Sequence, residues 1–315
     1  MVWHALATYD DKGNNAFGLV VNDRIYTLAD LLGQYQSTSL HRLTERGLPS
    51  EFTNWADISH DLSALAEKID KGSLKISALP AQTALRAPFI PPRIFAAASN
   101  YIEHSNEMGT ALAAKSQSAP YVFMKASTSV VGHDAPIILP PRAQKVDWEV
   151  ELAAVLGQGG RDIPVETALK HVVAYTVMND ISARDLTKRT DFPFSHDWFQ
   201  GKSFDTFGPL GPWLVPASLF EDPQRLNLSL HVSGKKMQSS NTSEMIFTLA
   251  EQISYLSTIL TLQPGDLIAT GTPDGVGMGT GTFLKDGDIV EAFVENIGLL
   301  RNPVMRKKML PRDTV

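Results

Sequence analysis

The stretch Val146-Asp147-Trp148-Glu149-Val150-Glu151-Leu152 alternates strictly between apolar and acidic residues. That period-2 pattern predicts a half-buried strand with Asp147, Glu149 and Glu151 on one face. At a rise of about 3.3 Å per residue, Glu149 and Glu151 lie roughly 6–7 Å apart. Like charges that close repel unless water screens them or a cation sits between them. By itself the alternation is also the pattern of an ordinary solvated strand face. A third acid, Asp180, closes the apolar run Val172–Met178 after Asn179. Three carboxylates from two neighbouring strands suit a hard divalent ion that keeps waters at its other positions.

Composition removes several alternatives. The chain has 315 residues, with room for one large domain or a small and a large one. Its net charge of −6 argues against a general nucleic-acid binder. No apolar run approaches the roughly 18–20 residues needed to span a bilayer. The start, Met1-Val2-Trp3-His4-Ala5, lacks the basic and apolar regions of a signal peptide. Cysteine is absent, which excludes disulfides, thiolate nucleophiles and Cys-ligated zinc. A soluble cytoplasmic protein is the expectation, with no membrane or nucleic-acid partner.

In chain order, residues 1–80 read as a small N-terminal domain of two or three short strands followed by helices. Prolines 80, 88, 91 and 92 mark a linker over 81–92. The remainder, 93–315, is mostly strand and turn, with an amphipathic helix over Phe247–Leu262 carrying Leu249, Ile253, Leu256 and Leu260 on one face. The segment from about 100 to 118 contains His104 and Glu107 at a helical i, i+3 spacing, then small polar residues suited to a lid. His104 alone is also an ordinary surface histidine, and Arg184 beside Asp185 an ordinary surface ion pair. Lys202, after a glycine, is also a plain surface lysine, and Thr272 between Gly271 and Pro273 a turn residue.

Several familiar motifs fail. Gly275-Val276-Gly277-Met278-Gly279-Thr280-Gly281 lacks the G-x-G-x-x-G spacing and is expected to lead into strands, with no helix N-terminus for a pyrophosphate. Gly201-Lys202-Ser203 resembles the end of a phosphate-binding loop, but His196 stands where its glycine belongs. There is no G-x-S-x-G elbow, and the consecutive Ser195-His196-Asp197 cannot form a triad among themselves. His196 reads as a loop histidine.

Ordered motifs then carry a resemblance. They are Asn100-Tyr101 with His104 and Glu107, Asp147 to Leu152, Asn179 to Asp185, Gly201 to Asp205, Pro264-Gly265-Asp266, and Thr270 to Gly277. Together, over roughly residues 85–303, they resemble the fumarylacetoacetate hydrolase family. The resemblance implies an α+β, predominantly β fold, a mixed β-sandwich roll, with one Mg²⁺ (Mn²⁺ or Ca²⁺ as alternatives) and a homodimeric assembly. It implies Glu149, Glu151 and Asp180 as metal ligands, and His104, Glu107 and Lys202 as catalytic residues. Arg184, Thr272 and Tyr101 follow as substrate contacts. One departure is Thr187, where family members often carry a glutamine; the contact could pass to Gln200, and substrate identity depends on it.

The implied substrate is a small 2-oxo acid bearing a further carbonyl or carboxylate. A divalent ion on its C1 carboxylate and C2 carbonyl would act as a Lewis acid. His104 would then serve as base with Glu107 orienting it. The leading expectation is hydrolysis of the C3–C4 bond of an acylpyruvate or fumarylpyruvate, as in the catabolism of aromatics. Decarboxylation or tautomerisation of oxaloacetate or a muconate-type dioate at the same site is the alternative. A non-catalytic metal-binding protein is a third, disfavoured by the presence of a base.

Overall fold

The computed structural model describes residues 1–107 and 114–306. Of the segment expected to form a lid, 108–113 lie outside the described residues, as do 307–315. A ten-stranded mixed sheet runs, in spatial order, through Arg24–Thr27, Asn14–Val21, Ala5–Asp11, Gly208–Pro216, Val172–Asn179, Val150–Leu156, Leu267–Ala269, Ile94–Ala98 and Tyr121–Lys125. The short Val130–Val131 joins it alongside Gly208–Pro216. A five-stranded sheet of Lys235–Asn241, Asn227–Val232, Ile289–Val294, Gly298–Arg306 and Ile137–Leu139 packs over one face. The fold is α+β with sheets dominant, as expected.

The first strand, Ala5–Asp11, pairs antiparallel with Gly208–Pro216, Leu6 opposite Leu214, so the first eighty residues and the later chain share one sheet. Helices Thr38–Arg46 and Trp55–Asp70 cover its second face with Leu40, Leu43, Ile58, Leu62 and Leu65. Alternation along Val150–Leu156 serves both layers. Leu152, Ala154 and Leu156 enter the core between the sheets, and Ala153 and Val155 enter the core beneath the helices. The expected half-buried strand is therefore buried on both faces.

It is also interrupted. Val146–Asp147 pairs with Ser182–Ala183 in a separate two-stranded ladder, and the long strand begins only at Val150. The reason lies in where the intervening N–H groups go. Trp148 N donates to the Asp147 carboxylate, Glu149 N to the Asn179 side chain and Val150 N to the Gln238 side chain. Side chains replace a neighbouring strand there, and the Trp148 ring plugs the gap, fully buried with its Nε1 donating to Gly275 O.

The amphipathic helix spans Leu249–Ile259, opened by a capping box between Thr248 and Glu251. Leu249, Ile253 and Leu256 are buried on its inner face. The glycine-rich stretch departs from expectation: Gly277–Thr280 makes one helical turn. That turn forms because the Gly277 and Met278 N–H groups find an acceptor, the Asp147 carboxylate.

Candidate active site and metal centre

Glu149, Glu151 and Asp180 converge, each offering a carboxylate oxygen within 4.8 Å of the others. Three local features aim them. The break before Val150 frees Glu149 from the ladder, while its carbonyl accepts from Asp180 N at 2.9 Å, tying the two acids' backbones together. Glu151, inside the strand, accepts from Gly271 N at 2.8 Å. Gly271 has φ +97°, and a Cβ there would lie 2.7 Å from the Asn100 side chain, so the close approach requires glycine. All three acids are buried, Glu151 completely.

Cations hold the cluster together. Lys202 Nζ donates to Glu149 Oε2 and Asp180 Oδ2, both at 2.7 Å. It ends the short helix Trp198–Lys202 and is 1% exposed, so the surface-lysine reading is wrong. Burial opposes its charge, but Asp180 and Glu149 outweigh burial and raise its proton affinity. Lys125, which carried no signal in the sequence, sits beside it. Its ammonium donates to Asp180 Oδ1 at 2.5 Å, to the Lys202 carbonyl at 2.5 Å and to the Ile181 carbonyl at 3.3 Å. Arg184 spans Asp147 at 2.8 Å and Glu149 at 2.5 Å.

Burial raises the Glu149 carboxyl, but Lys202, Arg184 and His104 overcome it and bring it down to about 2. Glu151 behaves oppositely. Burial and the neighbouring Asp180 and Glu149 push its carboxyl well above the usual range, and its Oε1 is buried without a hydrogen-bond partner. An orphaned carboxyl oxygen beside two further acids is the environment a divalent cation would relieve. Four carboxylates, counting Asp147, face three cations, the buried Lys125 and Lys202 and the partly buried Arg184. The oxygen-only donor set fits Mg²⁺ or Mn²⁺.

His104 and Glu107 share the helix Ile102–Glu107, with Nδ1 3.6 Å from the Glu107 carboxylate. Burial lowers the imidazole's affinity for a proton, an effect that Glu149 and Glu107 oppose and Arg184 reinforces. Glu107 is anchored from the other side: Gly275 N donates to both its oxygens at 3.1 and 3.2 Å, and a Cβ on Gly279 would collide with it. The glycine-rich turn thus cradles two carboxylates, Glu107 and Asp147, which explains glycine at alternate positions without any nucleotide.

The remaining expectations divide. Thr272 lines the cleft, but its hydroxyl already donates to Val150 O and accepts from Gln238 Nε2. Gln238, missed in the sequence, also donates to Pro273 O and so stitches the second sheet to the site. Tyr101 is buried with an unpartnered hydroxyl, its proton retained by burial and the nearby Glu151. Arg184 is not a surface pair with Asp185; both its ends are engaged by Asp147 and Glu149. Gln200 lines a neighbouring cavity with Arg142, Asp185 and Arg189, joined to the cleft through Lys188, whereas Thr187 lies in the cleft, so the expected transfer of the substrate contact to Gln200 has no support there. Thr187 itself lines the active cleft and packs against Gly201.

A family model described as Fumarylacetoacetate (FAA) hydrolase C-terminal matches residues 93–305. The chain belongs to the fumarylacetoacetate hydrolase family. Human oxaloacetate tautomerase FAHD2B, mitochondrial, is 37% identical over 261 residues, covering 82% of this chain and 81% of that protein. Fumarylacetoacetate hydrolase from Exiguobacterium antarcticum superposes with a TM-score of 0.76 at 29% identity, over 96% of this chain and 100% of that one. Maleylpyruvate hydrolase from Sphingobium sp. SYK-6, in complex with manganese(II) and pyruvate, gives a TM-score of 0.74 at 26% identity over the same shares. This fumarylacetoacetate hydrolase family member is an enzyme, a hydrolase or a lyase or isomerase of that family. Among its described residues no helix is long and apolar enough to cross a membrane.

Proposed function

We propose that this enzyme moves a proton at C3 of a small 2-oxo acid, a keto–enol tautomerisation of the kind for which its human relatives are named with oxaloacetate. The observation that carries the reading is one cleft of about 430 Å³ lined together by Glu149, Lys202 and His104. A divalent ion held by Glu149, Glu151 and Asp180 would supply Lewis acidity at the C2 carbonyl, making the C3 proton easier to remove. His104 is the base. Its burial favours the neutral imidazole, ready to accept that proton near neutral pH. Glu107 favours the imidazolium once the proton arrives. The C3–H bond breaks as His104 takes the proton, and the imidazolium then delivers it to the C2 oxygen, so that an O–H bond forms, neutral His104 is regenerated and no water or oxidant is consumed. Lys202 keeps Glu149 ionised, holds Asp180 by a hydrogen bond and presents positive charge where the enol oxygen develops.

Hydrolysis of a C3–C4 bond remains the second reading, supported by the structural likeness to maleylpyruvate hydrolase. There His104 would activate water against the C4 carbonyl. Proton magnetic resonance in D₂O separates the two. With Mg²⁺ and oxaloacetate, tautomerase action accelerates C3 exchange and leaves the carbon skeleton intact, and His104→Ala and Glu149→Ala abolish the acceleration. Pyruvate and a second acid released from acetylpyruvate or fumarylpyruvate, without accelerated exchange on oxaloacetate, would replace tautomerisation with hydrolysis. Homodimeric assembly and cytoplasmic residence belong to the same proposal, and light scattering of the purified protein checks the first.

A further inference from the structure

The chain from Thr187 to Asp197 folds back on itself. Asp197 N donates to Thr187 O at 2.7 Å and Arg189 N to Ser195 O at 3.0 Å, and Lys188 and His196 face each other in an antiparallel bridge. Directly opposed residues on such a pair carry their Cβ atoms roughly 4.5–5.5 Å apart on one face. Both line the cleft that contains Glu149, His104 and Lys202, and Lys188 also borders the neighbouring cavity lined by Asp185 and Asp191. The His196 ring is fixed on two sides: its Nδ1 lies 2.9 Å from the Ser195 hydroxyl, and its plane lies 22° from that of Trp198. The Ser195 hydroxyl holds Nδ1 and leaves Nε2 facing away from that contact, where a protonated ring presents a donor.

Charge separates Lys188 from its neighbours. Arg184, Lys202 and Lys125 are committed to Asp147, Glu149 and Asp180. Arg189 takes up both acids of the hairpin, Asp191 and Asp197. Among the described residues, Lys188 has no carboxylate within ion-pair range, so it is the one uncommitted cation lining the cleft. We infer that Lys188 and His196 form a second anion subsite at the cleft mouth, which receives the far carboxylate of a dicarboxylic 2-oxo acid while the near carboxylate and keto group lie by the acid cluster. The inference rests on the reading of the inner site proposed above and adds to it the residues that select the substrate.

Matched pairs of acids test it by titration calorimetry in the presence of Mg²⁺: 2-oxoglutarate against 2-oxopentanoate, and 2-oxoadipate against 2-oxohexanoate. Within each pair a carboxylate replaces a methyl at constant chain length. In at least one pair the diacid binds about tenfold more tightly, the upper end for an exposed ion pair with one added charge-assisted hydrogen bond. Lys188→Met brings the ratio to about one, Lys188→Glu takes it below one, Lys188→Arg largely restores it, and His196→Gln lowers it in part. Equal affinities in both pairs, or a ratio unchanged in Lys188→Glu, overturns the subsite. Monoacid binding that disappears in Glu149→Ala reports the inner site independently. If that binding persists without a diacid preference, only the subsite falls; if neither acid binds in a Glu149-dependent way, the inner-site reading falls and takes the subsite with it.

Discussion

Replacing Lys125 with methionine removes the ammonium that braces the acid cluster while keeping most of the side-chain volume. Three acceptors then lose their donor at once: Asp180 Oδ1, the Lys202 carbonyl and the Ile181 carbonyl. Lys125 is 3% exposed, so water cannot replace those bonds without opening the sheet edge. Removing one partner of a buried ion pair costs about 3–5 kcal/mol. Against a total stability of about 5–15 kcal/mol that is a large fraction. At about 1.5 °C per kcal/mol for a chain of 315 residues, the melting temperature falls by about 4–8 °C. The sign with metal is informative. Losing a positive charge beside Asp180 strengthens the cluster's attraction for a divalent cation, so saturating Mg²⁺ narrows the gap between variant and parent. Chelator-treated and Mg²⁺-saturated samples of both proteins, followed by circular dichroism and calorimetry, measure it. A metal-free variant within about 1 kcal/mol of the parent, or a gap that Mg²⁺ leaves unchanged, refutes the bracing role.

Other expectations follow from the same geometry. Gly271→Ala forces a Cβ against Asn100 at φ +97° and should cost about 1–3 kcal/mol in denaturant unfolding, with weaker Mn²⁺ binding because Gly271 N positions Glu151. Glu151's carboxyl is raised by folding, so between its ordinary and its raised pKa the folded state holds more protons than the unfolded one; metal-free stability therefore falls as pH rises through that window, and metal binding releases protons, read by calorimetry in buffers of differing ionisation enthalpy. Because burial lowers His104's pKa below 6.5, the acid limb of kcat/KM lies below that pH, and Glu107→Gln, which removes an influence that raises it, moves the limb further toward acid.

Much of the site could be read directly from residue order. The acids at 149 and 151 declare themselves because side-chain direction along an extended chain is a local property with a period of two. His104 and Glu107 do so because helical spacing is equally local. Asp180 showed as an acid closing an apolar run, but its role as a ligand, like that of Lys202, required the resemblance of ordered motifs, since neither run nor short helix says which residues it will meet. What stayed hidden was whatever depends on a distant partner. Lys125 looked like the end of an ordinary strand, yet its ammonium reaches across 55 residues to Asp180. The glycine-rich turn looked like a failed nucleotide loop until Asp147 and Glu107 arrived on its N–H groups. Gln200 looked as near the cleft as Thr187, but it faces another cavity from the same stretch of chain.

By itself, then, the sequence determined the kind of chemistry: hard oxygen ligands, a neutral base, and a β-rich frame to carry them. Only the tertiary structure decided which charges neutralise one another, because Coulomb energy in a buried site depends on separations of a few ångströms between residues far apart in the chain. That is why Arg184 proved to be spent on Asp147 and Glu149, and Lys188 left available.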